Sequence, residues 1–279
     1  MQNDFYGKNA LVTGAGSGIG YELALQLAQQ GAVIIATDIH QDGLDKLNTE
    51  ITALGGDMFS YLVDHSDESQ VSEFVDQVLD KHEHVDILCC NAGVFHQGKI
   101  GEFSLDEWKW LMNINYWGQV YLIDRIVPEM KKNNRPGWIL ITASGAGLMP
   151  ICGFGPYGSS KAALVILANI MQMELRQYNI HVSALCPGVI ATNIMRSGKI
   201  QGESNQSTMI KLYDKMGTHP RKVAKAGIKG LKQNKAIIRT PLWHLQATHV
   251  MYKLCTRCFL RLGSFLFKRG WSIIGPILK

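Results

Sequence analysis

The segment TGAGSGIG, residues 13–20, narrows the possible folds of this chain more than any other feature. It follows the apolar run NALVT, which is typical of a buried strand, and leads into helical periodicity over residues 19–30. In such a loop Gly14 permits a tight turn, Gly18 lets the backbone approach a pyrophosphate, and Gly20 lets the helix pack closely on the sheet. The helix N-terminus adds N–H donors and a partial positive charge. The segment therefore predicts a dinucleotide site between the first strand and the first helix.

Short apolar runs alternate with helical stretches along most of the chain. The apolar runs lie at residues 9–13, 32–38, 58–64, 85–93, 137–144 and 180–188, and the helical stretches near 19–30, 43–54, 68–82, 105–132 and 157–178. This alternation predicts an α/β fold with a Rossmann-type doubly wound parallel sheet, and the apolar strands predict burial on both faces of that sheet. An irregular loop over residues 188–208, a helix near 221–233 and a short strand at 236–240 complete the expected domain. We expect a dinucleotide-binding domain over residues 1–240 and a helical, basic, amphipathic C-terminal extension over 241–279.

Asp38 ends the second predicted strand, about twenty residues after the glycines, where an acidic residue holds ribose hydroxyls in dinucleotide sites. Its carboxylate would accept both hydroxyls of an adenosine ribose and repel a 2′-phosphate. The next residues, Ile39 and His40, provide no arginine to bind such a phosphate. The pattern favours NAD(H) over NADP(H). The alternative is that Asp38 only caps the following helix.

Tyr157 and Lys161 lie four residues apart, which is about one helical turn, so both side chains lie on one helix face. An ordinary tyrosine has a pKa of about 10, and a neighbouring cation lowers that pKa by favouring the phenolate. The pair therefore predicts a tyrosine that exchanges protons near neutral pH. An ordinary solvated pair is the alternative.

Five ordered motifs give the chain a family resemblance. They are the T-G-x-x-x-G-x-G segment, Asp38, Asn91-Ala92-Gly93, Ser144 and the Tyr157-x-x-x-Lys161 pair. Together they resemble the short-chain dehydrogenase/reductase family over roughly residues 7–240, which makes that region the expected catalytic domain. Cys90 stands where the family often has an asparagine.

The resemblance implies roles at the cofactor site. Thr13 would steady the glycine turn, Asp64 would contact the adenine, and Asn91 with Gly93 would shape the cleft. Pro187, Gly188 and Thr192 would cover the nicotinamide. The implied cofactor-binding set is Thr13, Gly14, Gly16, Ser17, Gly18, Ile19, Gly20, Asp38, Asp64, Asn91, Gly93, Tyr157, Lys161, Pro187, Gly188 and Thr192.

The resemblance also implies a catalytic set for hydride transfer between NAD(H) and a carbinol carbon. Tyr157 would exchange the proton of the substrate oxygen, and Lys161 would favour the phenolate and bind the nicotinamide ribose. Ser144 would orient the substrate oxygen. Asn115 would kink the long helix and hold the water of a proton relay. The alternative for Ser144 and Asn115 is that they are ordinary polar residues of a turn and a helix surface.

Apolar residues dominate the segments on the substrate side of the predicted site. The candidate wall comprises Phe95, Leu148, Met149, Ile151, Phe154, Ile190, Ile194 and Met195. With few polar groups to bind a sugar or a carboxylate, this wall predicts an apolar alcohol or carbonyl substrate. The alternative is that these side chains belong to the core or to a dimer interface.

The charge of the chain is unevenly distributed. All 23 acidic residues lie at or before Asp214, whereas 14 of the 28 lysines and arginines follow it. Lys253, Arg257, Arg261 and Lys268 recur at helical spacing within a sector of about 80°, among the apolar residues Leu254, Phe259, Leu262, Phe265 and Leu266. Such a helix is typical of an anionic membrane surface, and it is too interrupted by cations to span a bilayer. A lid over the substrate cleft and a subunit contact are the alternatives.

The remaining features are expectations about context. The six cysteines have no metal-ligand spacing, so we expect reduced thiols and no metal, and neither His244 nor His249 has a ligand set nearby. The N-terminal residues carry no secretion signal, which predicts a cytoplasmic protein that contacts a membrane at most peripherally. No nucleic-acid module is recognised.

The family resemblance implies a homodimer or homotetramer formed through the helices near 105–132 and 157–178. The alternative function is a membrane-surface binding protein that uses the nucleotide-binding fold as a redox-sensing scaffold with little turnover.

Overall fold

Seven parallel strands form the central sheet of this chain. The computed structural model describes residues 5–133, 135–190, 194, 198–200 and 217–268. The strands of the main sheet are β1 (Asn9–Thr13), β2 (Val33–Asp38), β3 (Met58–Leu62), β4 (Ile87–Cys90), β6 (Gly137–Thr142), β7 (Ile180–Pro187) and β9 (Ile237–Thr240). Their order is β3-β2-β1-β4-β6-β7-β9, so the direction of winding changes at β1. The predicted doubly wound parallel sheet is confirmed.

Helices cover both faces of this sheet. They are α1 (Gly18–Ala28), α2 (Gln41–Ala53), α3 (Glu68–His82), α4 (Leu105–Met112), α5 (Gly118–Lys132), α6 (Gly155–Leu175), α7 (Pro220–Lys232), α8 (Leu242–Leu254) and α9 (Thr256–Lys268). A π-helix, Asn113–Trp117, joins α4 to α5, and two short 3-10 helices, Gly145–Gly147 and Arg176–Tyr178, flank α6. The helical stretches predicted from periodicity are all present.

Successive strand residues point to two separate cores. Leu11 packs in the core that contains side chains of α3, α5 and α6, whereas its neighbour Val12 packs in the core that contains side chains of α1, α2 and α7. Alternation of this kind follows from the two-residue period of a strand. The central strands are therefore buried on both faces, as their apolar sequences predict.

The edge strand β3 departs from that prediction. Its residues are half-buried or exposed, and Leu62 is 57% exposed. Within the described part of the chain the strand pairs with β2 alone, so its second edge has no neighbour in the sheet there. The expectation that this strand is buried on both faces is therefore wrong.

A second sheet is small and was not expected from the sequence. Strand β5 (His96–Gln97) pairs in parallel with β8 (Lys199–Ile200). The latter lies inside the segment for which an irregular loop was predicted. Two-residue strands carry too little periodic signal to be recognised before their partner is known.

The described part of the C-terminal extension, residues 241–268, is helical, but it is not one continuous helix. Cys255 has φ −142° and ψ 71° and separates α8 from α9. Lys253 therefore belongs to a different helix from Arg257, Arg261 and Lys268, whose directions on α9 span only about 40°. In the described part of the chain, no helix has the length and apolar character needed to cross a membrane.

Candidate active site

The glycine loop connects the end of β1 to the start of α1. Gly14 has φ 63°, a left-handed conformation that disfavours any side chain. A Cβ at Gly20 would lie 2.1 Å from the Gly14 carbonyl oxygen, so only glycine permits this approach of helix to turn. Ser17 is extended and precedes the first residue of α1. The loop, which includes Gly16, Gly18 and Ile19, therefore forms a tight turn at the helix N-terminus, where the phosphate site is expected.

Asn91 connects this turn to the neighbouring strand. Its side-chain amide donates hydrogen bonds to the carbonyl oxygens of Thr13 at 3.1 Å and Gly14 at 3.4 Å. The Thr13 hydroxyl accepts hydrogen bonds from the backbone N–H groups of Asn91 and Ala92, each at 2.9 Å. Thr13 therefore acts on the glycine turn through Asn91. One network of hydrogen bonds thus joins the end of β1 to the segment that follows β4.

Asp38 lies at the end of β2 with its carboxylate against the glycine loop. One oxygen accepts a hydrogen bond from the Gly16 N–H at 2.9 Å, and the other accepts one from the His40 N–H at 3.0 Å. The residue that directly precedes α2 is His40, so Asp38 is not the N-cap of that helix. Asp64 is exposed, and its carboxylate accepts hydrogen bonds from Ser66.

Tyr157, Lys161 and Ser144 come together above the carboxyl ends of the central strands. Tyr157 and Lys161 share α6, and the Lys161 ammonium lies 5.9 Å from the centre of the phenol ring. Lys161 is buried and donates a hydrogen bond to the Thr142 carbonyl oxygen at 3.0 Å. The Ser144 hydroxyl accepts the Ala146 N–H at 3.1 Å and hydrogen-bonds the Tyr157 side chain. The solvated-pair alternative for Tyr157 and Lys161 is therefore wrong.

The protonation of Tyr157 differs from the prediction. Burial raises the pKa of Tyr157 above its ordinary value, and the hydrogen bond from Ser144 opposes that increase only in part. Burial also lowers the pKa of Lys161 to about 8. A tyrosine pKa near neutral is therefore not found in the free protein, because desolvation disfavours the phenolate. The predicted influence of Lys161 together with a bound nucleotide stays a prediction.

Asn115 occupies the π-helix between α4 and α5, so the predicted interruption of the long helix is confirmed. The side chain is fully buried. Its oxygen accepts the Val94 N–H at 2.7 Å, while its nitrogen donates to the Val94 carbonyl at 3.0 Å and to the Ser160 hydroxyl at 3.2 Å. A Cβ at Gly93 would lie 3.0 Å from the Asn115 oxygen and 3.3 Å from the Lys161 ammonium. Asn115 thus fixes the segment after β4 against the helix that carries Tyr157, and it is not a surface residue.

The segment after β7 reaches the site only in part within the described residues. Pro187 ends β7, and the Gly188 N–H donates a hydrogen bond to the Thr240 carbonyl at 2.8 Å. Thr192 and Met195 lie outside the described residues. Their predicted roles remain expectations.

The apolar wall is divided between the site and the cores. The Phe95 ring lies 5.0 Å from the rings of both Tyr157 and Phe154, centre to centre, and Ile151 and Ile194 pack against the same cluster. Leu148 and Ile190 instead belong to the two main cores, which agrees with the packing alternative for these residues. The cluster also contains Val94, Trp110, Leu111, Ala146 and Val189, which the sequence did not single out as residues of the site.

Met149 has a partner that the sequence did not reveal. It packs with Phe259 of α9 and Tyr252 of α8, and the rings of these two lie 5.3 Å apart. Phe259 is only 6% exposed. The prediction that Phe259 faces a membrane is therefore wrong, because this ring is buried against the domain.

The family model for short chain dehydrogenases matches residues 8–201. The chain belongs to the short-chain dehydrogenase/reductase family. It is similar to 1-deoxy-11-beta-hydroxypentalenate dehydrogenase of Streptomyces avermitilis, with 35% identity over 191 residues that cover 67% of this chain and 70% of the relative. It is equally similar to the 3-oxoacyl-acyl-carrier-protein reductase of Thermotoga maritima, with 35% identity over 186 residues, 67% of this chain and 75% of the relative.

Solved structures support the same assignment. A short-chain dehydrogenase/reductase from Burkholderia phymatum in complex with NAD has a TM-score of 0.84 and 26% identity, covering 91% of this chain and 96% of its own. An alcohol dehydrogenase from Thermococcus sibiricus complexed with 5-hydroxy-NADP has a TM-score of 0.72 and 26% identity, covering 83% and 95%. Membership supports a dehydrogenase/reductase that uses NAD(H) or NADP(H). It does not favour the alternative of a scaffold with little turnover.

Proposed function

We propose that this protein is an NAD(H)-dependent oxidoreductase that interconverts an apolar alcohol with its ketone or aldehyde. One observation carries the proposal: the buried Tyr157 phenol hydrogen-bonds Ser144, has Lys161 one turn away, and lies against the ring of Phe95. A proton donor, an orienting hydroxyl and an apolar surface thus meet at one point. That combination suits carbonyl chemistry on a substrate with few polar groups.

The residues of the nucleotide cleft fit a dinucleotide. The glycine loop admits no side chain at Gly20, and the Asp38 carboxylate is held beside Gly16 by a hydrogen bond. These residues would hold the pyrophosphate and the adenosine ribose, and Asn91 would keep the turn in place. When bound, NAD(H) supplies the hydride donor or acceptor.

Proton transfer falls to Tyr157. Because burial raises its pKa, the phenol is protonated at neutral pH and can donate its proton to the oxygen of a carbonyl substrate. Ser144 orients that oxygen and stabilises negative charge on the phenol oxygen after the proton leaves. Lys161, with a pKa of about 8, is mainly cationic at pH 7. Its positive charge also favours negative charge on the phenol oxygen. For alcohol oxidation the direction is reversed, and the phenolate accepts the proton.

The test is the Tyr157→Phe variant, with Tyr178→Phe as control because Tyr178 is 38% exposed. We expect Tyr157→Phe to reduce turnover of apolar ketones by at least about 10²- to 10⁴-fold, the usual contribution of a general acid. Its affinity for NADH, followed by nucleotide fluorescence, should change little. Turnover retained in Tyr157→Phe would refute the assignment of the proton donor.

The proposed preference for NAD(H) over NADP(H) rests on the Asp38 carboxylate. Opposing a 2′-phosphate with a carboxylate costs on the order of 1–3 kcal/mol, so we expect about a 10- to 100-fold preference for NADH over NADPH in kcat/KM. Asp38→Ala should reduce this preference for NADH over NADPH. Asp45→Ala, which alters an exposed carboxylate on α2, should leave it unchanged. Equal use of both cofactors by the unaltered protein would contradict the proposal.

We also propose that the extension has two functional faces. The inner face, with Phe259, packs on Met149 and covers the substrate side of the domain. The outer face carries the cations Arg257, Arg261 and Lys268 beside exposed apolar residues. Leu262 and Phe265 are 49% and 50% exposed. A surface with this composition and no acidic residue after Asp214 suits an anionic lipid surface.

Vesicle flotation tests the outer face. The full chain should float with vesicles of phosphatidylcholine and phosphatidylserine, and less with phosphatidylcholine alone. Replacement of Arg257, Arg261 and Lys268 by Gln should reduce flotation. The same change at Lys222, Lys225 and Lys229 of α7 removes equal charge elsewhere and serves as control. Equal loss in both triple variants would show a general effect of charge and contradict a specific lipid-facing surface.

The exposed side of α6 supports the expected homo-oligomer. Ile166, Ile170 and Met173 follow one another at helical spacing and are 60%, 40% and 73% exposed. We propose that this stripe forms a contact between copies of the chain. Met173→Glu should lower the mass measured by light scattering, whereas Glu174→Gln should not. An unchanged mass in Met173→Glu would contradict the contact.

A further inference from the structure

The exposed pair Cys255 and Cys258 lies where α8 ends and α9 begins, outside the site described above. Both thiols are free and exposed, whereas Cys89, Cys90 and Cys186 are buried. The spacing C-x-x-C places the two cysteines within one turn of a helix. At positions i and i+3 of a helix the Cα atoms lie about 5 Å apart, which falls within the range that a disulfide spans.

The two cysteines occupy different positions at the start of α9. The Cys255 carbonyl accepts the Phe259 N–H at 3.0 Å, which is the first hydrogen bond of α9, so Cys255 is the N-cap and Cys258 is the third helical residue. The Cys255 sulfur thus occupies the position where an N-cap side chain accepts hydrogen bonds from the first turn. The partial positive charge of a helix N-terminus favours an anion at this point.

Side-chain contacts and the local positive charge also favour the thiolate form of Cys255. Hydrogen bonds from the Cys258 thiol and from the Cys258 backbone N–H lower the pKa of the Cys255 thiol. Donation of that thiol hydrogen raises the pKa of Cys258. Lys253 and Arg257 flank the pair in a segment without acidic residues. A cationic, exposed helix N-terminus is the environment in which cysteines become reactive nucleophiles.

From this geometry we infer that Cys255 and Cys258 form a thiol–disulfide exchange site, with Cys255 as the attacking thiolate, Cys258 as the resolving thiol and a small disulfide as the oxidant. The site is separate from Tyr157 and its neighbours, and the inference does not depend on the proposed dehydrogenase activity. The sequence predicted that these cysteines are reduced thiols, and the reduced form is the one that reacts in this exchange.

The exchange takes place in two steps, in which each new bond to sulfur replaces one that breaks. The Cys255 thiolate attacks one sulfur of the disulfide RSSR, so a Cys255–SR bond forms, the RS–SR bond breaks and one RS⁻ leaves. The Cys258 thiol then gives up its proton, and its sulfur attacks Cys255, which forms the Cys255–Cys258 bond and releases the second RS⁻. The two protons lost from the pair end on the two RS⁻ groups. The protein is oxidised by two electrons and RSSR is reduced to two RSH.

The first experiment measures the reactivity of each thiol in the full chain. Native protein is treated with iodoacetamide between pH 5 and 10, and peptides are quantified by mass spectrometry. We expect Cys255 to be alkylated faster than Cys258 and Cys152 at pH 7, with a midpoint shifted to lower pH than that of either. Rates at Cys255 that match those of Cys152 at every pH would overturn the inference.

The second experiment identifies the disulfide and its intermediate. In mixtures of reduced and oxidised glutathione, the peptide with residues 255 and 258 should lose the mass of two hydrogens in the unaltered protein. Cys258→Ser should instead accumulate glutathione on Cys255, because no resolving thiol remains, and Cys255→Ser should leave Cys258 largely unmodified. Cys152→Ser serves as control and should behave as the unaltered protein.

Two outcomes would refute the exchange site. One is the absence of a Cys255–Cys258 disulfide at every glutathione ratio. The other is equal glutathione addition in Cys255→Ser and Cys258→Ser, which would show two independent exposed thiols. Because a serine also caps helices well, circular dichroism should show α9 retained in Cys255→Ser. Loss of reactivity in that variant therefore reports on the sulfur and not on folding.

Discussion

Lys161 offers the sharpest test of how this site is built, because its burial has a cost that can be measured as stability. The side chain is 3% exposed, and its pKa is about 8 in the folded protein against an ordinary value of 10.5. At about 1.4 kcal/mol for each pKa unit, the buried ammonium opposes folding by about 3 kcal/mol at pH 7. Since the folded pKa is the lower one, this opposition fades as the pH rises from about 8 toward 10.5. At pH 9.5 it is about 1 kcal/mol by the same linkage.

Lys161→Met removes the charge and keeps an unbranched chain of similar length. The variant also loses the hydrogen bond to the Thr142 carbonyl, which adds a roughly constant cost at each pH. The stability of Lys161→Met relative to the unaltered protein should therefore fall by about 2 kcal/mol between pH 7 and pH 9.5. Urea unfolding at pH 7, 8 and 9.5 measures this difference, and Lys235→Met, at an exposed lysine, is the control. A relative stability that does not change with pH would refute the desolvation argument, even if turnover is lost.

Two further predictions concern neighbouring contacts. Because the Ser144 hydrogen bond lowers the pKa of Tyr157, Ser144→Ala should move the acid limb of the pH profile for alcohol oxidation to higher pH, with a fall in rate on the order of 10²-fold. Ser183→Ala removes another buried hydroxyl and should leave that profile unchanged, so a shift common to both variants would contradict the assignment. Phe259→Ala should loosen the extension and speed its cleavage by trypsin, whereas Leu260→Ala, at a residue 49% exposed, should not; equal cleavage rates would contradict the packing described for Phe259.

Much of the fold could be predicted because its signals are local. The apolar runs and helical periods lie within single elements, and the glycine turn is a property of eight consecutive residues. Tyr157 and Lys161 share a helix, so their common face follows from spacing alone. Asp38 could be placed beside the glycine loop because parallel strands bring their carboxyl ends to one edge of the sheet.

Other features depend on contacts between distant segments. Periodicity could not show that Leu148 and Ile190 pack in the main cores while Phe95 packs on Tyr157, since all three are apolar residues in irregular segments. Nor could it show that Phe259 is buried on Met149, because an amphipathic helix has the same pattern whether it faces lipid or protein.

Residue types and their spacing alone determined the sheet, the dinucleotide loop and the family. Only the tertiary structure decided the protonation of the site, because the pKa of a group depends on the water removed by all segments packed around it. For Tyr157 that desolvation outweighs the hydrogen bond from Ser144, which favours the phenolate. The same is true of the extension, where the break at Cys255 and the burial of Phe259 depend on how two helices dock.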